Sequence, residues 1–174
     1  ALAVYENSVN PLVNAGAIAA VSLVQATSEQ ERSNKVQQNL SDFAGRPLTV
    51  LEKVYESEYS TAFGNRGIAN LLYNWGRLYS DPEEALRVYT RECSVGVSAK
   101  DLGMMGATLA NGGVNPVTRE RAVRADCVGP ILSVMTTCGM YDFAGEWVFR
   151  VGMPAKSGVS GGVIAVLPGQ LGIG

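Results

Sequence analysis

The sequence predicts an α+β fold: a helix-rich portion over about 10–150, then a C-terminal β-hairpin over about 154–174 that belongs to an otherwise larger sheet. Three observations carry this. Apolar residues recur at helical spacing behind good start signals as far as Cys138. Gly161 to Leu167 is a continuous apolar, β-branched run. Pro168-Gly169 then turns the chain into Gln170 to Gly174. The composition, 174 residues with 47% hydrophobic and 17% charged, suits one ordinary globular domain or part of one.

The elements follow in order. Asn10-Pro11 reads as a helix start, a capping side chain before proline at the first helical position, with Val13, Ala17, Val21 and Val24 behind it. Ser28-x-x-Glu31 is a capping box ahead of Val36, Leu40 and Phe43, and Gly45-Arg46-Pro47 supplies the stop. Thr49-x-x-Glu52 opens a shorter helix. After a break at Ser57 to Ser60, Ile68, Leu71, Leu72, Trp75 and Leu78 form a core pattern. Asp81-Pro82-Glu83-Glu84 places acids where a helix dipole favours them, leading into Leu86, Tyr89 and Cys93. Ser98-x-x-Asp101 repeats the device before Met104 to Leu109, and Asn111-Gly112-Gly113 ends that helix. After a turn at Asn115-Pro116, Arg119 to Cys138 reads as a helix whose second half is interior. A two-stranded hairpin is not stable alone in water, so the reading expects further strands from elsewhere and a chain incomplete at its C-terminus.

Charge and composition exclude several classes. A formal charge of −2 and a pI near 5.2 leave no basic field for a phosphate backbone or an anionic membrane, so neither nucleic acid nor membrane is an expected partner. The longest apolar stretch, Ala15 to Val24, is too short to cross a bilayer, and no signal-peptide pattern leads the chain. Cys93, Cys127 and Cys138, odd in number and widely spaced, suit a reducing, cytoplasmic setting and read as buried small hydrophobes. Histidine is absent, which removes Ser-His-Asp and Cys-His catalysis and most zinc sites. Proton transfer falls to Lys, Tyr, Asp or Glu.

Four groups of residues could carry chemistry. In "PAKSGVSGG", Lys156 enters a strand edge before a small hydroxyl and a glycine, where an ammonium can support developing negative charge. Gly158, Gly161 and Gly162 allow a ligand close to the backbone, and the Val159 N–H is the candidate oxyanion donor; flexible glycines at a sheet corner are the plainer alternative. In "NPLVNAGAIA", Asn14 near a helix start can orient a polar ligand or can simply be a buried hydrogen-bonded amide. In "SEYSTAFGNRGIAN", Glu58 and Asn65 offer a carboxylate and an amide suited to an amino-acid headgroup, though solvated surface is the usual fate of such residues. Tyr89 and Tyr141 read as amphipathic core tyrosines, with Tyr141 placed after Gly139-Met140 where it could point a phenol into a cleft.

Taken together, "NPLVNAGAIA", "SEYSTAFGNRGIAN" and "CGMYDFAGEWVFRVGMPAKSGVSGG", in this order and at these distances, closely resemble the serine-dependent glutaminase family, whose fold is that of β-lactamases and penicillin-recognising transpeptidases. The resemblance implies hydrolysis of L-glutamine to L-glutamate and ammonia through a serine acyl-enzyme, without metal or organic cofactor, in a homo-oligomer, a dimer or tetramer. It places Asn14, Glu58, Asn65, Tyr89, Tyr141 and Val159 on substrate-binding positions, with Glu58 facing the α-ammonium. Tyr141 falls on the tyrosine beside the nucleophile, Lys156 on the strand lysine and Val159 on the oxyanion donor. One departure is large: the family carries its nucleophile and base in a Ser-x-x-Lys helix upstream of the asparagine motif, and no serine here has lysine three residues later. The chain also opens at "ALAVYENSVNP", just before that motif. The expectation is a partial glutaminase domain over 1–174, inactive alone. Two rivals share features with it: a β-lactamase or transpeptidase with the same strand lysine, and a non-catalytic helical interaction module on the same scaffold.

Overall fold

The computed structural model describes residues 10–174; the opening "ALAVYENSV" lies outside the described residues. Among the described residues the chain forms two compact units, one from 10–37 and 49–95, the other from 38–48 and 96–174.

The first unit is helical. It holds α1 (Asn14–Ser22), the first part of α2 (Glu29–Ala44), α3 (Glu52–Ser60), α4 (Phe63–Asn74) and α5 (Pro82–Cys93). Its core is built from Ile18 and Val21 on α1, Ala69 and Leu72 on α4, Leu78, and Ala85, Leu86 and Val88 on α5. The best start signal is at α5, where the Asp81 carboxylate accepts from the Glu83 and Glu84 N–H groups at 3.0 Å and Pro82 occupies the first turn. The Ser28 hydroxyl accepts from the Glu31 N–H at 3.2 Å, but Glu31 reaches back to Thr27 rather than Ser28, so half of the expected box forms.

Several sequence expectations shift here. Asn10 accepts from the Leu12 N–H in a turn, and α1 starts only at Asn14 behind an uncapped Val13. Thr49 caps nothing: Leu51 precedes α3, because Val50 bridges Val95 and draws the backbone out of helical geometry. The break expected at Ser57 falls after Ser60. Leu71 and Trp75, read as core, are 51% and 64% exposed, while Leu72 and Leu78 are buried, since α4 turns a narrower stripe inward than its apolar content suggests. The three cysteines are not buried: Cys93 is exposed and the other two are half-buried.

The second unit is the α+β part. It takes the end of α2 and adds α6 (Ala99–Ala110), α7 (Ala125–Cys138), a 3₁₀ turn (Tyr141–Phe143), α8 (Ala144–Arg150) and strands β1 (Ala155–Ser157), β2 (Val163–Leu167) and β3 (Leu171–Ile173). The expected hairpin is β2–β3, and β1 adds a third antiparallel strand, in order β1-β2-β3 with Lys156 opposite Ile164 and Val166 opposite Gly172. Helix α6 opens with a complete capping box between Ser98 and Asp101 and packs on β2 and β3. Gly106 and Gly172 make that approach possible: a Cβ on Gly172 would stand 2.0 Å from the Ala107 nitrogen, and one on Gly106 would stand 3.0 Å from the Gly172 Cα. The loop after α2 is fastened within the unit by Arg46, whose guanidinium grips the buried Asp101 at 2.6 and 2.7 Å. The fully buried Asn115 adds a bond from its amide to the Phe43 carbonyl at 3.2 Å. Helix α7 begins at Ala125 rather than Arg119, because Arg119 takes a left-handed φ of 67° inside a turn. Only Val128 and Met135 of α7 are buried, short of the interior half expected.

Candidate functional site

The sequence-selected residues fall into a set in each unit. In the first, Asn14 is the first residue of α1 and Asn65 lies in the first turn of α4, and the Asn14 Nδ2 donates to the Asn65 Oδ1 at 2.9 Å. Each amide therefore stands at a helix N-terminus, where unpaired N–H groups and the helix dipole favour negative charge. The bond consumes one acceptor of Asn65 and leaves its amide hydrogens without a protein partner among the described residues. Two amides so placed suit a carboxylate.

Glu58 lies in the last turn of α3, exposed, and no cation pairs with it among the described residues. Its negative charge is felt at Cys93 on the last turn of α5. Tyr89, one turn before Cys93, is buried and shares a hydrogen bond with that thiol. Although the Cys93 residue is open to solvent, neighbouring atoms desolvate its sulfur; this, with the charges of Glu92 and Glu58, pushes the thiol up from its ordinary range, while the Tyr89 bond works against it. The unit thus joins Asn14 to Asn65 and Tyr89 to Cys93, while Glu58 touches that thiol only through its charge. Sequence reading missed Cys93, although its i, i+4 spacing from Tyr89 was the available signal. It missed Glu92 too, whose carboxyl is pushed up to about 7 by burial in a crevice lined by Ser33, Val36, Val50, Val88 and Val95.

In the second unit, Lys156 and Tyr141 come together. The Lys156 ammonium stands 4.3 Å from the centroid of the Tyr141 ring, over its face, and donates to the Ser157 carbonyl. Tyr141 holds a left-handed φ of 53°, uncommon for a bulky side chain, and is 46% exposed. Gly139 sets this up. Its carbonyl accepts the Ser157 N–H at 3.1 Å, docking the end of α7 on β1, and a Cβ there would lie 1.8 Å from the Ala155 carbonyl oxygen. Only glycine permits that contact, and the chain leaving it must turn sharply through Tyr141.

Val159 stands at the tip of a closed turn, 96% exposed. The Gly158 N–H donates to the Gly162 carbonyl at 2.7 Å and the Gly161 N–H to the Gly158 carbonyl at 3.0 Å, Gly161 taking a φ of 91°. The Val159 N–H donates to no protein group among the described residues, as an oxyanion donor must before its ligand arrives. Beside this turn a depression of about 660 Å³ is lined by Ser98, Leu102, Lys156, Ser157, Gly158 and Ser160, among others. Its size suits a small molecule. No cluster of three metal-ligating side chains occurs among the described residues, and none of their helices is long and apolar enough to cross a membrane.

Known proteins resemble the chain throughout. The glutaminase family model matches residues 3–174. Glutaminase 2 of Yersinia pestis is 52% identical over 165 residues, which are 95% of this chain and 48% of that protein. The structure of a probable glutaminase, ybaS, superposes with a TM-score of 0.94 at 46% identity, covering 99% of this chain and 56% of that one. The structure of Mglu in its L-glutamate binding form gives a TM-score of 0.87 at 44% identity, covering 92% and 37%. The chain spans about half the length of the curated relatives it matches.

Proposed function

The chain belongs to the glutaminase family, with its β-lactamase-like fold, and on that premise we propose that its residues serve hydrolysis of L-glutamine to L-glutamate and ammonia through a serine acyl-enzyme. The nucleophilic serine and the lysine that takes its proton lie outside these 174 residues in this reading, and the chain alone is inactive. Two facts support that: no serine here precedes a lysine by three positions, and the Lys156 ammonium is engaged by the Ser157 carbonyl, not its hydroxyl.

The observation that carries the proposal is the pairing of Lys156 with Tyr141. A left-handed backbone that holds a phenol under an ammonium, with an unspent Val159 N–H three residues along the chain from Lys156, supports a reading of acyl transfer over one of packing. Serine attack on the side-chain amide carbon gives an oxyanion that the Val159 N–H receives. The C–N bond breaks as the proton given up by the serine is passed, with Tyr141 in the relay, to the leaving nitrogen, which departs as ammonia. Water then cleaves the ester, releasing glutamate. Asn14 and Asn65 bind the substrate's α-carboxylate, Glu58 its α-ammonium, and Tyr89 lines the same headgroup. The complete enzyme works as a dimer or tetramer in a reducing cytoplasm, the setting that three free cysteines suit.

The test is ammonia release from L-glutamine by this chain and by a polypeptide of its relatives' full length that contains it, at equal concentration. The longer protein should turn over and the chain should not, since loss of a nucleophile costs about six orders of magnitude where its partners survive. Turnover by the chain alone would refute the placement of the nucleophile. Labelling of the longer protein by a fluorescent penicillin, without ammonia release, would favour a transpeptidase.

A further inference from the structure

Helix α3 carries Glu58, yet none of its nine residues is buried. A helix this short has little stability of its own, and most helices are held by an apolar face on a core. Here Tyr59 alone of the α3 side chains packs against the unit's core, and only partly. The backbone is tethered at either end, by the Leu51 N–H on the Ser94 carbonyl at 2.8 Å and by the buried Ala62 beyond Thr61.

Between those tethers the contacts are ionic and aromatic. Tyr55 and Tyr59, one turn apart, stack with ring centroids at 5.6 Å. The Arg91 guanidinium lies over Tyr55 at 4.9 Å and pairs with Glu52 at 2.8 Å. The Arg66 guanidinium lies over Tyr59 at 5.4 Å and pairs with Glu83 at 3.0 Å, and the Tyr59 hydroxyl donates to the same carboxylate at 2.5 Å. The bonds from Arg66 and then Tyr59 hold the Glu83 carboxyl below its usual range. Every one of these groups comes from α3, α4 or α5, and Tyr59 is the immediate neighbour of Glu58.

We propose that Arg66 and Arg91 are positioning residues for Glu58: through Tyr59 and Tyr55 they latch α3 in place and so set where the Glu58 carboxylate stands. This rests on the reading of Glu58 as the partner of the substrate's ammonium. Because the latch is made of partly exposed charges, salt weakens it, while the apolar core of the unit is spared.

Hydrogen exchange on this chain reads the latch without any substrate. With Arg66→Met or Arg91→Met, and in about 1 M NaCl, where the screening length falls to about 3 Å, the α3 amides should exchange about tenfold faster while those of α5 hold. Equal rates in α3, or equal acceleration in α5, would overturn the proposal. If Arg66→Met unfolds, Glu83→Gln tests the same joint at nearly constant size, and Glu52→Gln does so for Arg91. In the full-length polypeptide, Arg66→Met should raise KM for L-glutamine about tenfold with kcat within about twofold, the pattern of lost uniform binding. Arg66→Lys, which keeps charge but not the planar stack, should recover part of that. Glu58→Gln separates the two failures. If it raises KM while the arginine variants do not, the latch is wrong and the site stands. If Glu58→Gln leaves KM unchanged, the headgroup reading falls and takes the latch with it.

Discussion

Tyr141 shows how single residues divide between fold and chemistry. Its left-handed backbone costs a non-glycine residue about 1–2 kcal/mol, and the Lys156 contact returns about 0.5–1 kcal/mol. Tyr141→Gly should therefore leave urea stability within about 1 kcal/mol while abolishing turnover of the full-length protein; a loss above about 2 kcal/mol would show that the backbone there is unstrained. Glu92 behaves in the opposite sense. Its folded carboxyl, near 7, stands above the ordinary value of about 4.3. The native state thus binds the extra proton, and the stability this confers is full below about pH 4 and lost as pH rises through 7. Urea midpoints should fall between pH 5 and 8, by up to roughly 3 kcal/mol in free energy, and Glu92→Gln should flatten the curve; a flat wild-type curve would refute this. Lys156 and Val159 were legible because glycines cluster beside them, and Asn14 and Asn65 because each belongs to a recognisable string. Their mutual bond was not legible, since it joins amides 51 positions apart. Nor was Glu92, whose environment is made by side chains from three segments.

At the scale of elements, local chemistry was read well where a side chain closes its own helix and poorly where the neighbours decide. Asp81 and Ser98 cap as their spacing says. Thr49 and Asn10 fail as caps because a β-bridge and a turn claim the backbone first. Leu71 and Trp75 match the helical period, but periodicity does not tell how wide a stripe the core will take. The junction of α7 with β1 tests the same point by mutation. Gly139→Ala would press a methyl group into the Ala155 carbonyl, 1.8 Å away, and against the Met135 carbonyl at 2.4 Å. Two backbone atoms cannot yield as a side-chain tip can, so the cost should be about 3 kcal/mol or more in urea unfolding. A loss under about 1 kcal/mol would mean that the end of α7 is free to move and that Tyr141 is not placed by it.

For the molecule as a whole, the helix-then-sheet order was legible from periodicity, while the division into two units was not, because residues 38–48 leave one stretch of sequence to join another far along the chain. Arg46 and Asp101 are 55 positions apart, and no local pattern pairs them. Their bond holds the Asp101 carboxyl far below its usual range, with the Ser98 bonds adding to it. The depressed group contributes stability above about pH 4 and loses it as pH falls. The second unit should therefore unfold progressively in acid, and Asp101→Asn should lower its midpoint at pH 6 while making the acid limb shallower; an unchanged limb would refute the assignment. A last consequence belongs to the seam where Gly106 of α6 meets Gly172 of β3. The two sides of this contact are unequal: a Cβ on Gly172 would stand 2.0 Å from the Ala107 nitrogen and 2.7 Å from the Gly103 carbonyl oxygen, whereas one on Gly106 meets its nearest atoms at 3.0 to 3.3 Å, where a shift of a few tenths of an ångström makes room. In a library of all point variants the Gly172 column should be blank except for glycine, while the Gly106 column should admit at most alanine, so that one face of the same joint is closed to rewriting and the other only narrow.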